Sequence, residues 1–324
     1  FERLRALLRQ DPENDHLRLA QARINWMAGD LDDRISAKNK LIELARGSGP
    51  ISMKALKAIA FSPLREGVFK EDLEDAAGKL RKHPLAENTE ILRSTEILLH
   101  LAKPAERDSI LESVIHKLQH KDKPLLARWL IGHGFAQNTL KLVGGPEAAT
   151  SSQLFFPRFQ ALILTNATVD AQKLLNQAEG ILPPGAKAKA KAYLGKARGE
   201  PTAISNYLKW AKQNNAPKQI VEAGRFALLS GDGDAAREAY AKVLTTAPQA
   251  LGPDECGQLL QLALNARDTP LALRTARVLH SRNPNRWGIR NNLTWLALLS
   301  GENPIPLEKE AHRIVDAVPD NPNF

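Results

Sequence analysis

The chain has 324 residues, 43% of them hydrophobic, 25% charged and only 5% aromatic, with a formal net charge of +9. That length exceeds a single compact core, so it implies two or three domains or one elongated repeat array, and the wealth of Leu and Ala is helix-forming material. Scarce alternation of Val, Ile, Thr and aromatic residues argues against a sheet and a βαβ nucleotide site, the single cysteine excludes an internal disulfide and a multi-cysteine metal site, and no apolar run reaches the roughly 18 residues of a membrane span.

The sequence starts at Phe1 without a signal-peptide pattern. It is therefore expected to be a fragment or processed form, with any upstream anchor or targeting segment outside it and the compartment open. The first segment, "LRALLRQDPEN", reads as the second helix of a hairpin whose first helix is missing. "HLRLAQARINWMAGD" and "SAKNKLIELARG" read as a further pair with a short insertion between them.

Residues 51–215 keep helical periodicity in a series of amphipathic stretches. These are "KEDLEDAAGKLRKH", "AENTEILRSTEILLHLA", "ERDSILESVIHKLQH", "KPLLARWLIGHG", "TVDAQKLLNQAEG", "AKAKAKAYLGKARG" and "PTAISNYLKWAKQ", with breaks such as "VGGP" and "LPPG" between them. The region is expected to be degenerate helix hairpins or, alternatively, a separate helical domain. Within it, Glu112, His116 and His120 recur every four residues and would line up on one helix, but no fourth metal ligand is apparent. Metal and cofactor binding are not expected.

Charge concentrates further along. Between 184 and 226 nine cations, among them Lys187, Lys189, Lys191 and Lys196, face two carboxylates, Glu200 and Glu222, a local excess of +7. Such a patch attracts an acidic partner or nucleic acid, or simply keeps a helix solvated. Base-stacking aromatics are thin here, with Tyr193, Tyr207 and Trp210 alone.

The most regular stretch is "AGRFALLSGDGDAAREAYAKVLTTAP", residues 223–248. Ile220, Ala223, Gly224 and Ala227 share one helix face, Gly231-Asp232 interrupts it, Ala236, Tyr240 and Val243 share the face of a second helix, and Pro248 ends the unit. Small residues at 223, 224 and 236 let two antiparallel helices approach closely, and Tyr240 is suited to fill the gap to the next pair. The following unit ends at Pro284, 36 residues on, and the next at Pro319, after a further 35. "ALLSG" at 227–231 returns at 297–301. Cys256 falls where this unit wants a buried residue, and "SGDGD" has neither the preceding strand nor the following Lys of a phosphate loop.

This pattern resembles the tetratricopeptide repeat, a 34-residue helix hairpin. The small, bulky and proline positions of that family fall on Ala223, Gly224, Ala227, Ala236, Tyr240 and Pro248. The resemblance is clearest over 217–319. It implies an all-α, right-handed superhelical array (an α-solenoid) over 1–324, with a truncated start in 1–50, degenerate hairpins in 51–215 and three repeats in 216–324. It also implies a groove lined by the first helices of successive hairpins. Groove-facing positions then fall on Lys218, Val221, Arg225 and Leu228; on Gln258, Gln261 and Asn265; and on Asn291, Asn292, Trp295 and Leu299. The family's carboxylate clamp is replaced by Val221, Arg225, Gln258, Gly288 and Asn292, so recognition of a chaperone tail is not implied. The expectation is a non-catalytic scaffold that binds a peptide or partner protein. Electrostatic binding through 184–226, or an accessory role within a larger enzyme or membrane-anchored protein, are the alternatives.

Overall fold

The computed structural model describes residues 2–63 and 69–317. Twenty α-helices and one short 3-10 turn at Pro248–Ala250 make up these residues, with no strand among them. The chain is all-α, as its composition demands. It divides into two compact units, Phe1–Gly144 and Gly145–Phe324.

The first unit contains α1 (Glu2–Gln10), α2 (Asp15–Ala28), α3 (Leu31–Leu44), α4 (Pro50–Ala60), α5 (Lys70–Lys82), α6 (Asn88–Leu101), α7 (Pro104–Leu118), α8 (Lys123–Gly132) and α9 (Ala136–Leu142). The second contains α10 (Gly145–Thr150), α11 (Ser152–Leu164), α12 (Thr168–Gln177), α13 (Pro184–Ala197), α14 (Ala203–Gln213), α15 (Pro217–Leu228), α16 (Gly233–Thr246), α17 (Pro253–Asn265), α18 (Thr269–Arg282), α19 (Trp287–Leu299) and α20 (Pro304–Ala317). Within each unit a helix packs chiefly on the helices just before and after it in the chain. That nearest-neighbour packing is what a helical repeat requires.

One sequence expectation changes. No insertion separates α2 from α3, because Asp30 caps α3 by accepting the Asp33 N–H (2.9 Å), so "LDD" is the first turn of a helix. Pro248 and Pro284 follow α16 and α18 as expected, and other prolines open helices: Pro50, Pro104, Pro184, Pro217, Pro253 and Pro304 each occupy a first helical position, where a missing N–H costs nothing. Pro319 lies outside the described residues.

One device recurs at the helix joints. Every described residue with positive φ sits just past the end of a helix: Gly134, Asn166, Gly199, Asn215, Gly231, Arg267 and Gly301. In each case the next residue's N–H reaches back to the carbonyl five positions earlier, from Phe135 to Leu130, Ala167 to Leu162, Glu200 to Gly195, Ala216 to Ala211, Asp232 to Ala227, Asp268 to Ala263 and Glu302 to Ala297, at 2.8–3.1 Å. This is the Schellman closure, which satisfies a helix-end carbonyl and turns the chain back. Asp232 and Asp268 also accept the N–H of Ala235 and Leu271, so a single residue closes one helix and caps the next.

Omitting Asn215, which joins one hairpin to the next, the turn residues follow one another at 32, 33, 32, 36 and 34 residues. The period that the resemblance placed at 217–319 therefore extends back to Gly134. Side-chain bonds keep the same spacing. Trp26 donates to the Ala58 carbonyl, 32 residues away; Lys38 pairs with Asp72, at 34; Lys57 with Glu90, at 33; Lys189 with Glu222, at 33.

The core of the second unit runs without interruption from Ala192 to Ala297. Gly224 and Tyr240 show why small residues are needed. A Cβ on Gly224 would stand 2.6 Å from Cε1 of Tyr240, whose ring is fully buried and whose hydroxyl donates to Oε1 of Gln258 on α17 (3.2 Å). Gly224→Ala is expected to destabilise the chain by about 1–3 kcal/mol through this overlap. Arg267→Gly, which relieves a left-handed side chain, is expected to stabilise it by about 1 kcal/mol. Urea midpoints followed by helical circular dichroism check both, and a midpoint unmoved by either change would contradict this geometry.

Candidate functional site

Registering the hairpins on their left-handed turn residues aligns the first helices of the second unit. Ten residues before each turn stand Phe156, Lys189, Val221, Gly257 and Asn291; six before stand Gln160, Tyr193, Arg225, Gln261 and Trp295. Contacts between successive first helices bear the register out. The Lys189 ammonium lies over the Phe156 ring (5.0 Å) and pairs with Glu222; Tyr193 stacks on Phe226 (4.5 Å between centroids). Arg225 then clasps the buried carboxylate of Glu255 through Nε (2.7 Å) and Nη2 (2.6 Å). Glu255 also accepts the Gly252 N–H (2.9 Å), which anchors the ion pair at the start of α17.

The sequence-predicted groove residues separate into three sets. Gln258, Asn291 and Asn292 meet in one open cavity of about 1120 Å3, formed by α17, the end of α18 and the start of α19. Gln261 and Trp295 on α17 and α19, and Lys218 on α15, are exposed without lining it, Gln261 donating to Asn265 (2.9 Å) and Trp295 keeping 51% of its surface accessible. Arg225 is held by Glu255, and Val221 is only 4% exposed, which withdraws it from the expected groove: its side chain belongs to the core.

Asp254, Asn283, Asn285, Arg286 and Trp287 complete the cavity, and sequence reasoning overlooked them. Asn283 and Asn285 lie in the link between hairpins, where helical periodicity carries no information. The remaining signal was the density of amides in "SRNPNRWGIRNN". Leu279 and Ile289 supply an apolar wall. Such a cavity offers paired N–H donors and carbonyl acceptors beside a surface able to take one hydrophobic group.

The four lysines of the basic segment do not make a single patch. Lys187 and Lys191 face a cavity of about 700 Å3 between α12, α13 and α14, and Lys187 pairs with Glu179. Lys189 pairs with Glu222, and Lys196 sits over the Phe226 ring (4.8 Å). Lys212 pairs with Glu238. Carboxylates at 179, 238 and 255, all outside the 184–226 window, thus offset much of the charge that the window carries.

Glu112, His116 and His120 are exposed; α7 ends at Leu118, so His120 sits beyond the helix that was to align the three. No group of three His, Cys, Asp or Glu among the described residues is arranged to hold a metal. No described helix is long and apolar enough to cross a membrane.

No protein-family model matches the chain, and no curated protein matches it. Its chemistry therefore has to be read from its own residues.

Two buried groups respond to that core. Burial pushes the Cys256 thiol above its usual range, only partly countered by Arg282, whose Nη1 donates to Sγ (3.5 Å). Tyr240 is pushed up to about 12 by burial and by Glu255. A phenol whose folded pKa exceeds its unfolded value stabilises the fold fully below the unfolded value, and that contribution is lost as pH climbs through the folded one. Alkylation of Cys256 by iodoacetamide is accordingly expected to be slow in the native chain and complete in urea. Tyr240 should ionise near pH 12, with stability falling between about pH 10 and 12. Absorbance of the phenolate, compared with Tyr240→Phe, reads this directly.

Proposed function

We propose that the chain is a non-catalytic interaction scaffold of the tetratricopeptide type. Within each unit the hairpins wind in a right-handed sense, with first helices along the concave side. An extended peptide lies across α17 and α19 of the second unit, its backbone paired with Gln258, Asn291 and Asn292. The observation that carries this reading is the convergence of those three amides, from two successive first helices, on one cavity.

An amide side chain donates and accepts at once, as a peptide group does, so a row of them reads backbone without selecting a charge. Leu279 and Ile289 then take one apolar side chain. The surroundings are fixed beforehand by Arg225–Glu255 and by Tyr240 on Gln258, so little ordering remains to be done on binding. Nucleic-acid binding is the weaker reading, because Lys187, Lys189 and Lys212 are each engaged by a carboxylate.

Peptides selected from a random displayed library on the intact chain test this. The triple change Gln258→Ala, Asn291→Ala, Asn292→Ala is expected to weaken the selected peptides by about 2–4 kcal/mol, since each lost hydrogen bond contributes on the order of 1 kcal/mol. Binding should change little between low and physiological salt. Selection that yields no peptide, or peptides indifferent to all three changes, would remove the reading.

A further inference from the structure

The first unit carries a face that the amide cavity does not explain. Its hairpins α2/α3, α4/α5 and α6/α7 present their first helices side by side, and α2 packs directly on α4. Three cavities, of about 480, 250 and 420 Å3, open along these helices, and Phe61 at the end of α4 borders all three.

Cations dominate the lining. Arg23 and Lys54 flank the largest cavity, and neither meets a carboxylate among the described residues. Arg93 borders the third with its guanidinium 3.9 Å above the Phe61 ring, likewise without a described carboxylate partner. Lys57 also lines the face but is spent on Glu90. The one lining carboxylate, Glu96, is drawn aside toward Nε2 of His133 (3.4 Å). Between these charges lie Ala58, Ile97 and the edge of Phe61, with room for apolar side chains.

We infer that this face of α2, α4 and α6 docks an acidic peptide segment of a partner protein, its carboxylates on Arg23, Lys54 and Arg93 and its apolar side chains in the cavities beside Phe61. Charge complementarity sets the sign of the partner. The aromatics set its class. Trp26 is 1% exposed, and its Nε1–H is committed to the Ala58 carbonyl (3.1 Å). Phe61 has a ring face covered by Arg93. Trp26 thus offers no open ring on which a nucleic-acid base stacks, and one face of Phe61 is already taken. The inference is independent of the amide cavity in the second unit.

The test uses the intact chain and a fluorescein-labelled peptide in which Asp and Glu alternate with Leu, read by fluorescence anisotropy. The expected result is saturable binding that weakens with salt and falls about tenfold or more in the double charge reversal Arg23→Glu, Lys54→Glu. Arg23→Gln with Lys54→Gln should give a smaller loss in the same direction, and helical circular dichroism confirms that both variants fold. Lys209→Glu with Lys242→Glu, a reversal of two exposed lysines outside this face, should leave the affinity unchanged, which separates the face from a general response to net charge. The inference is overturned by no binding of the acidic peptide, by binding that both Arg23/Lys54 variants retain, or by a polyuridylate of equal charge binding more tightly than the peptide.

Discussion

From α8 onward the architecture depends on a backbone constraint: a helix whose last carbonyls must find donors, and a chain that must reverse within a few residues. One left-handed residue meets both demands by letting the following N–H reach back five positions. Once that closure is made, the second helix is committed to run antiparallel against the first. The carbonyls being closed belong to Leu130, Leu162, Gly195, Ala211, Ala227, Ala263 and Ala297, all of them buried. The turn and the core are therefore fixed by the same residues. A hairpin is too thin to cover both sides of itself, so its remaining apolar face must find the next hairpin.

Between hairpins the first helices meet through a different chemistry. Phe156, Lys189 and Glu222 form one bridge; Tyr193, Phe226 and Lys196 form another; Arg225 and Glu255 a third. Each joins a charged or aromatic group to a partner about one period away. Exposed ion pairs contribute little to stability, but the Arg225–Glu255 bridge is bidentate at the arginine and one partner is buried, so its geometry is held tightly. These bridges tie the first helices of the second unit together, and four of the nine cations of 184–226, Lys187, Lys189, Lys212 and Arg225, are balanced by carboxylates. The open cavity beside α17 and α19 presents chiefly amides.

Much of this was legible, and the gaps have physical causes. Gly231-Asp232 and the repeated "ALLSG" announce a turn because glycine is the residue that adopts positive φ without strain. Asn166 and Asn215 perform the same turn with a weaker signal, since asparagine tolerates positive φ but is common elsewhere too, and Arg267 gives no sign of it. Before 217 the turns at Gly134, Asn166 and Gly199 keep the period in the backbone, although the family's small and bulky positions do not recur around them. Tyr240 and Gly224 were readable as a packing pair because bulk and absence of bulk are properties of the residues themselves. The state of the lysines was not, since Glu179, Glu222 and Glu238 become their partners only after folding. Val221 and Trp295 mark the limit of transferring a pattern: both sit at groove positions by register, yet one is enclosed and the other half open.

The one-period spacing of the bridging bonds has a consequence for how such a chain changes over generations. Trp26 to Ala58, Lys38 to Asp72, Lys57 to Glu90 and Lys189 to Glu222 all join equivalent places in adjacent copies. Duplicating or excising one full copy keeps each of these places one period from its counterpart in the next copy. An insertion of half that length in mid-helix would strand them. Growth by whole modules is thus the tolerated route, and the number of modules is free to vary where their internal phase is not.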